Sequence, residues 1–155
     1  MKELLIKLDA CKEAIEWAAD KSWEEIYNTC HRGDWLLWLF KRTNPHDLQL
    51  LTLTKGHCAN TVRHLMKDER SLKAVDAAIA FGEGKIGREE LDIAANAAVW
   101  AAAWADTRAA AYAAADAAAW ADAAAVDAAR EENQKLTADI CRKYLPIEVW
   151  NVLNK

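Results

Sequence analysis

The sequence predicts an all-α domain, a helical bundle organised around a long alanine-rich helix. The 155 residues include only five glycines and two prolines, the residues that most often end helices or form β-turns. Alanine, the strongest helix former, occupies 23 of the 36 positions from 94 to 129. Apolar residues elsewhere recur mostly at helical spacing. A chain of this length can bury a core of its own, so residues 1–155 are predicted to form one domain.

The first part of the chain, residues 1–84, is predicted to form a series of shorter helices. Apolar residues at helical spacing predict one amphipathic helix over 4–19. Ser22, with acidic residues in the following turn, is predicted to cap a short helix that runs to about Cys30. Asp34 is predicted to cap the next segment, whose dense apolar residues 35–40 should lie at the centre of the fold.

Proline and glycine delimit the next two elements. Asn44 and Pro45 are predicted to be the N-cap and first residue of a helix that continues to about Lys67. Another helix should begin at Asp68 or Ser71 and end near Phe81, because the glycines at 82 and 84 are typical of a helix C-terminus.

Residues 88–144 contain no glycine or proline and are predicted to form one continuous helix. Its first 44 residues would span roughly 65 Å, well beyond the roughly 13–15 Å radius of gyration of a compact domain of this size. We therefore expect the helix to protrude or to be broken, and its methyl-rich surface predicts packing against neighbouring helices, including those of another copy in a homo-oligomer. Residues 146–155 are predicted to form a short helix that caps the bundle.

The net charge of −4 disfavours general DNA or RNA binding and attraction to an anionic membrane. The N-terminus interleaves charged and apolar residues, unlike a signal peptide, so a cytoplasmic location is predicted. The four cysteines lack zinc-site spacing, and buried free thiols are expected in a reducing compartment. Neither a metal nor another cofactor is predicted.

A first candidate binding surface lies in the predicted helix that ends near 67. Four polar residues recur at helical spacing along one side of this helix, and two basic residues lie on the adjacent flank. Together they would suit an anion or a nucleotide. The histidines are two turns apart, too far to share one metal ion. The alternative is an ordinary solvated polar face. The candidate ligand-binding residues are His57, Asn60, Arg63, His64 and Lys67, with Thr61 on the same side.

Two further candidate sites combine aromatic and basic side chains. Trp35 lies beside Arg32, and an indole next to a guanidinium group can hold a flat or anionic ligand. Trp38, among leucines, is better explained by core packing. In the alanine-rich run, Trp104, Arg108 and Tyr112 are spaced one turn apart, where large side chains among methyl groups could leave a pocket or simply serve in packing.

Catalytic motifs are not evident, because the sequence has no nucleophile elbow, phosphate-binding glycine loop or zinc-protease helix. A non-enzymatic binding protein is therefore predicted. The enzyme alternative, a small helical hydrolase acting on nucleotides, would need carboxylates such as Asp106 and Asp116 beside His57 or His64.

Three segments resemble one family: CKEAIEW at 11–17, RGDWLLW at 32–38, and LKAVDAAIAFGEG at 72–84 leading into the alanine run. The chain is similar over nearly its whole length to the alanine-rich, immunity-five-like proteins of bacteria and phages. The most specific element is the Gly-Asp-Trp-x-x-Trp string at 33–38. The chain departs from the family pattern at 45–47 and at His57.

The resemblance implies that the protein neutralises an antagonist by binding it. One possibility is capture of a small nucleotide-like immune signal, as expected of a phage anti-defence protein. The other is an immunity protein that masks a protein toxin, for which a strongly acidic or flat apolar face is expected. The mild net charge and the aromatic–basic clusters favour the first interpretation.

Overall fold

The computed structural model describes residues 1–105 and 123–150, with the backbone alone at 99–105 and 123–127. Over these ranges the chain forms eight α-helices and no strand, which confirms the all-α prediction. The α-helices are α1 (Lys2–Lys7), α2 (Lys12–Ala18), α3 (Trp23–Thr29), α4 (Gly33–Thr43), α5 (Leu48–Asn60), α6 (Glu69–Gly82), α7 (Arg88–Ala105) and α8 (Ala123–Tyr144). Short 3-10 helices cover Arg63–Leu65 and Ile147–Trp150. None of the described helices combines the length and apolar character that a membrane span requires.

Helix α4 lies at the centre of the described core, as its dense apolar sequence predicts. Leu36, Leu39 and Phe40 are buried, and the helix packs on α5 and α8. Its first turn approaches α8 so closely that a Cβ added at Gly33 would lie 2.5 Å from Thr137 Oγ1. A side chain at position 33 is therefore excluded by the packing.

The segment after Pro146 packs on this core through the 3-10 helix Ile147–Trp150. The Trp150 side chain is fully buried, and its indole N–H donates to the Leu145 carbonyl at 3.1 Å. Its ring centroid lies 4.8 Å from that of Trp23 and 5.2 Å from that of Phe40. The aromatic contacts join α3, α4 and the C-terminal segment.

Helices α5 and α6 pack antiparallel through two glycines, and α7 packs on α6. A Cβ added at Gly56 would lie 2.9 Å from Ile79 Cγ1, and one added at Gly82 would lie 2.6 Å from the Cα of Leu53. The described side chains of α7 do not belong to the buried core, whereas α8 contributes Ala138 and Cys141. The described beginning of the alanine-rich segment is thus peripheral.

The continuous helix predicted over 88–144 falls partly on residues 106–122, outside the described residues. Its described parts are α7 and α8, which pack on α6 and on α4 and α5, respectively.

The single helix predicted over 4–19 is wrong, because the chain reverses at Asp9. Asp9 has a φ of 60°, and its N–H bonds the Ile6 carbonyl while the Ala10 N–H bonds the Leu5 carbonyl. This is the Schellman arrangement that ends a helix, with aspartate in the left-handed position usually taken by glycine. The predicted amphipathic helix is therefore split into α1 and α2.

Helix ends are confirmed where a side chain or a glycine fixes them locally. Ser22 and Glu25 form a reciprocal capping box on α3, and Asp68 caps α6 by accepting from the Arg70 N–H at 2.8 Å. Gly84, with a φ of 73°, ends α6 in a Schellman motif, close to the predicted position.

Two predicted helix N-caps are wrong. Asp34 pairs with Arg32 instead of capping α4, which begins at Gly33. Asp47, rather than Asn44 before Pro45, caps α5 and accepts from the Leu50 N–H at 3.0 Å.

Helix α5 ends at Asn60, well before the predicted Lys67. The Thr61 hydroxyl bonds the Cys58 carbonyl and the side chain of Asn133 on α8, and the following amides bond carbonyls three residues back. These contacts replace the α-helical hydrogen bonds.

We expect Gly82→Ala to destabilise the protein by about 1–3 kcal/mol, because the added methyl group would overlap the α5 backbone at Leu53. At an uncrowded helical position the same change would stabilise by about 0.5–1 kcal/mol. Urea denaturation of the two proteins measures the difference, and stabilisation of the variant would contradict the close packing of α5 and α6.

Candidate functional site

A cavity of about 530 Å³ lies among α1, α2, α3 and α4. The reversal at Asp9 allows α1 and α2 to form its walls, and the first two turns of α4 complete them. Its lining is mainly apolar and includes the indole rings of Trp17, Trp35 and Trp38. Arg32 and Asp34 also line it. We call it the tryptophan cavity. Its three indoles and one ion pair form the candidate binding site.

Each of two indoles in the cavity, those of Trp17 and Trp35, faces its own cationic side chain. Their ring centroids lie 5.9 Å apart, and the guanidinium carbon of Arg32 lies 4.6 Å from the Trp35 ring. The ammonium group of Lys21 lies 4.5 Å from the Trp17 ring. Both pairs are within the range of cation–π attraction, which orients the rings.

The Arg32 guanidinium is also held by carboxylates. Its Nε and Nη2 donate to the two Asp34 oxygens at 2.8 and 2.7 Å, and its Nη1 lies 3.6 Å from Glu13 Oε1. The bonds from Arg32 lower the pKa of Asp34 below its ordinary value. The positive charge of Arg32 is therefore compensated, and the cavity carries no large excess of charge.

A second, polar cavity of about 460 Å³ adjoins the first and shares Arg32 with it. It is lined by Glu13, His31, Arg32, Arg130, Glu131 and Gln134, from α2, the α3–α4 connection and α8. We call it the polar recess. The imidazole of His31 contacts the edge of Trp17, with ring centroids 6.4 Å apart, which places the recess directly beside the tryptophan cavity.

The structure assembles the Arg32–Trp35 pair predicted from the sequence, but it surrounds that pair with residues the sequence did not single out. The sequence places Trp17 only in a helix, and it favours core packing over ligand binding for Trp38. Trp38 is half-buried, contacts the core and lines the cavity. Glu13 and Arg130 carry no local signal, because they approach Arg32 only through the packing of α2 and α8, whereas His31 is the chain neighbour of Arg32.

The predicted polar side over 57–67 does not form a continuous surface, because α5 ends at Asn60. His57 stacks on Tyr144 of α8, with ring centroids 4.2 Å apart and planes at 9°. Arg63, on the following 3-10 helix, makes a bidentate ion pair with Asp76 of α6, at 2.5 and 2.9 Å. Asn60, His64 and Lys67 are exposed. Their role in binding stays a prediction.

The predicted site in the alanine-rich run lies outside the described side chains. Trp104 lies near the end of α7, where only the backbone is described, and Arg108 and Tyr112 lie outside the described residues. The carboxylates of the enzyme alternative, Asp106 and Asp116, also lie outside them.

The cysteines are all free thiols. Cys30 and Cys141 are buried, as predicted, and Cys58 is half-buried. Cys11, the residue before α2, is exposed, so the prediction of burial is wrong at this position. In the described part of the chain, no three histidine, cysteine or acidic side chains are grouped as metal ligands.

Comparison of the chain with models of protein families, with curated proteins and with solved structures found no match. The resemblance to the immunity-five-like proteins therefore stays a prediction based on the segments quoted above.

We expect the melting temperature to be lower at pH 5.5 than at pH 7.5, in part because of His57. Burial lowers the pKa of His57 below its ordinary value of 6.5, so the unfolded chain binds this proton first as the pH falls. Stability is therefore lost below the unfolded pKa. His57→Gln should reduce the difference between the two melting temperatures, and an unchanged difference would contradict the assignment.

Proposed function

We propose that the protein is a non-enzymatic binding protein that captures a small nucleotide-like molecule in the tryptophan cavity. The observation that carries this proposal is the grouping of Trp17, Trp35 and Trp38 in one cavity, with Arg32 stacked on Trp35. Indole faces accept a planar base, and base–aromatic stacking contributes about 1–3 kcal/mol per base.

Cavity size and charge restrict the ligand further. A volume of about 530 Å³ is in the range of small-molecule sites. The apolar walls favour a ring system, whereas a compensated Arg32 disfavours a ligand with several charges. A nucleoside, or a nucleotide of low charge, satisfies both conditions.

We further propose that capture keeps the molecule away from an effector, which is the role implied by the resemblance to immunity-five-like proteins. The protein would then act as an anti-defence sponge in bacterial or phage conflict. Masking a protein toxin is the alternative, and it requires an extended complementary surface instead of a cavity.

The experiment is to titrate the protein with adenosine and with guanosine. Binding is measured by isothermal titration calorimetry and, separately, by tryptophan fluorescence. We expect binding that quenches the fluorescence, and Trp35→Ala should weaken it by about tenfold to a hundredfold through the loss of stacking. Trp35→Phe keeps an aromatic face and should retain part of the affinity. Unfolding curves of both variants check that the bundle is intact.

Arg63→Gln is the matched control, because Arg63 is paired with Asp76 on α6 and does not line the cavity. Its affinity should equal that of the unmodified protein. A loss of binding in this variant, with none in Trp35→Ala, would move the site to the 57–67 segment. Failure of both nucleosides to bind, together with co-purification of a folded toxin, would overturn the proposal. Recovery of a cleaved product would favour the hydrolase alternative.

A further inference from the structure

We propose that the polar recess binds a single phosphate group of the captured ligand, and that this phosphate replaces the Asp34 carboxylate on Arg32 with Arg130 as its second partner. This inference rests on the proposed function, since it assumes that the ring of the same ligand occupies the tryptophan cavity. It names the ligand class as nucleotides with one phosphate charge, such as cyclic mononucleotides.

The arrangement of Arg32 supports a ligand that extends across both cavities. Arg32 is the residue that the two cavities share, and one face of its guanidinium lies on Trp35. His31, in the recess, touches the edge of Trp17, in the cavity. A phosphate attached to a ring in the tryptophan cavity would therefore meet the guanidinium edge.

The charges of the recess favour one phosphate charge over several. Two arginines, Arg32 and Arg130, line the recess with Glu13 and Glu131, and Asp34 adds a third carboxylate on Arg32. A phosphate with one charge can replace a carboxylate on Arg32 without leaving any positive group unpaired. Additional phosphate charges would meet Glu13 and Glu131, and the described lining of the recess holds no lysine or third arginine to pair with them, so they are disfavoured.

Asp34 is suited to being replaced. Its side chain is 59% exposed, so a carboxylate that leaves Arg32 can be hydrated where it stands. Arg32 itself is only 18% exposed, and it keeps its contact with Trp35 and its proximity to Glu13. The cation therefore stays in place while one of its anionic partners is exchanged.

The test compares adenosine and guanosine with their 3′,5′-cyclic monophosphates, and with ADP and GDP, by isothermal titration. Each cyclic monophosphate should bind more tightly than its nucleoside by about tenfold, and more tightly than the diphosphate. Arg130→Gln should remove most of this preference without changing the affinity for the nucleoside. Asp34→Asn should strengthen binding of the cyclic monophosphate, because it weakens the competing partner of Arg32.

Lys135→Gln is the matched control, because it removes one positive charge from an exposed position on the same helix, outside the recess. It should leave every affinity unchanged. Equal losses in Arg130→Gln and Lys135→Gln would show a general effect of net charge and overturn the phosphate subsite. Nucleosides that bind as tightly as their cyclic monophosphates would overturn it as well, while leaving the proposed function intact. If neither the nucleosides nor their cyclic monophosphates bind, the proposed function itself fails.

Discussion

The contact between the first turn of α4 and the middle of α8 leaves no space for a side chain at position 33, and the candidate site is built beside this contact. The same region is joined by hydrogen bonds. Arg142 of α8 donates to the carbonyls of Tyr27 and Cys30, and the Tyr27 hydroxyl donates back to the Arg142 carbonyl at 3.1 Å. These bonds satisfy backbone groups at the end of α3 and fix the α3–α4 connection, from which Arg32 projects.

The features that could be predicted from the sequence are those in which a residue acts on its own neighbourhood. Ser22 and Asp68 cap helices by bonding amides two or three residues away, and Gly84 ends α6 by adopting a conformation that other residues avoid. The central position of α4 follows from its apolar density alone. The pairing of Arg32 with Trp35 is local in the same sense, since they lie three positions apart in the chain.

The features that could not be predicted depend on partners distant in sequence. The break at Asp9 uses a residue that tolerates the left-handed conformation but is far less specific for it than glycine. The early end of α5 involves Thr61 and Asn133, which meet only when α5 packs on α8. Arg130 and His31 likewise form the polar recess across a long stretch of chain. Helical periodicity carries no information about such pairs.

The dependence of α4 on α8 also has a consequence for how the site arises during synthesis. Most of the side chains that line the tryptophan cavity belong to residues 5–39, which leave the ribosome early. The α8 residues that hold this region, Thr137 and Arg142, come much later in the chain, so closing this contact requires a long intervening loop of chain. The α3–α4 connection, which carries Arg32, must therefore wait for its bonds to Arg142 until α8 is made. A ligand present at that stage would meet an unfinished site, and full binding capacity would follow completion of the bundle.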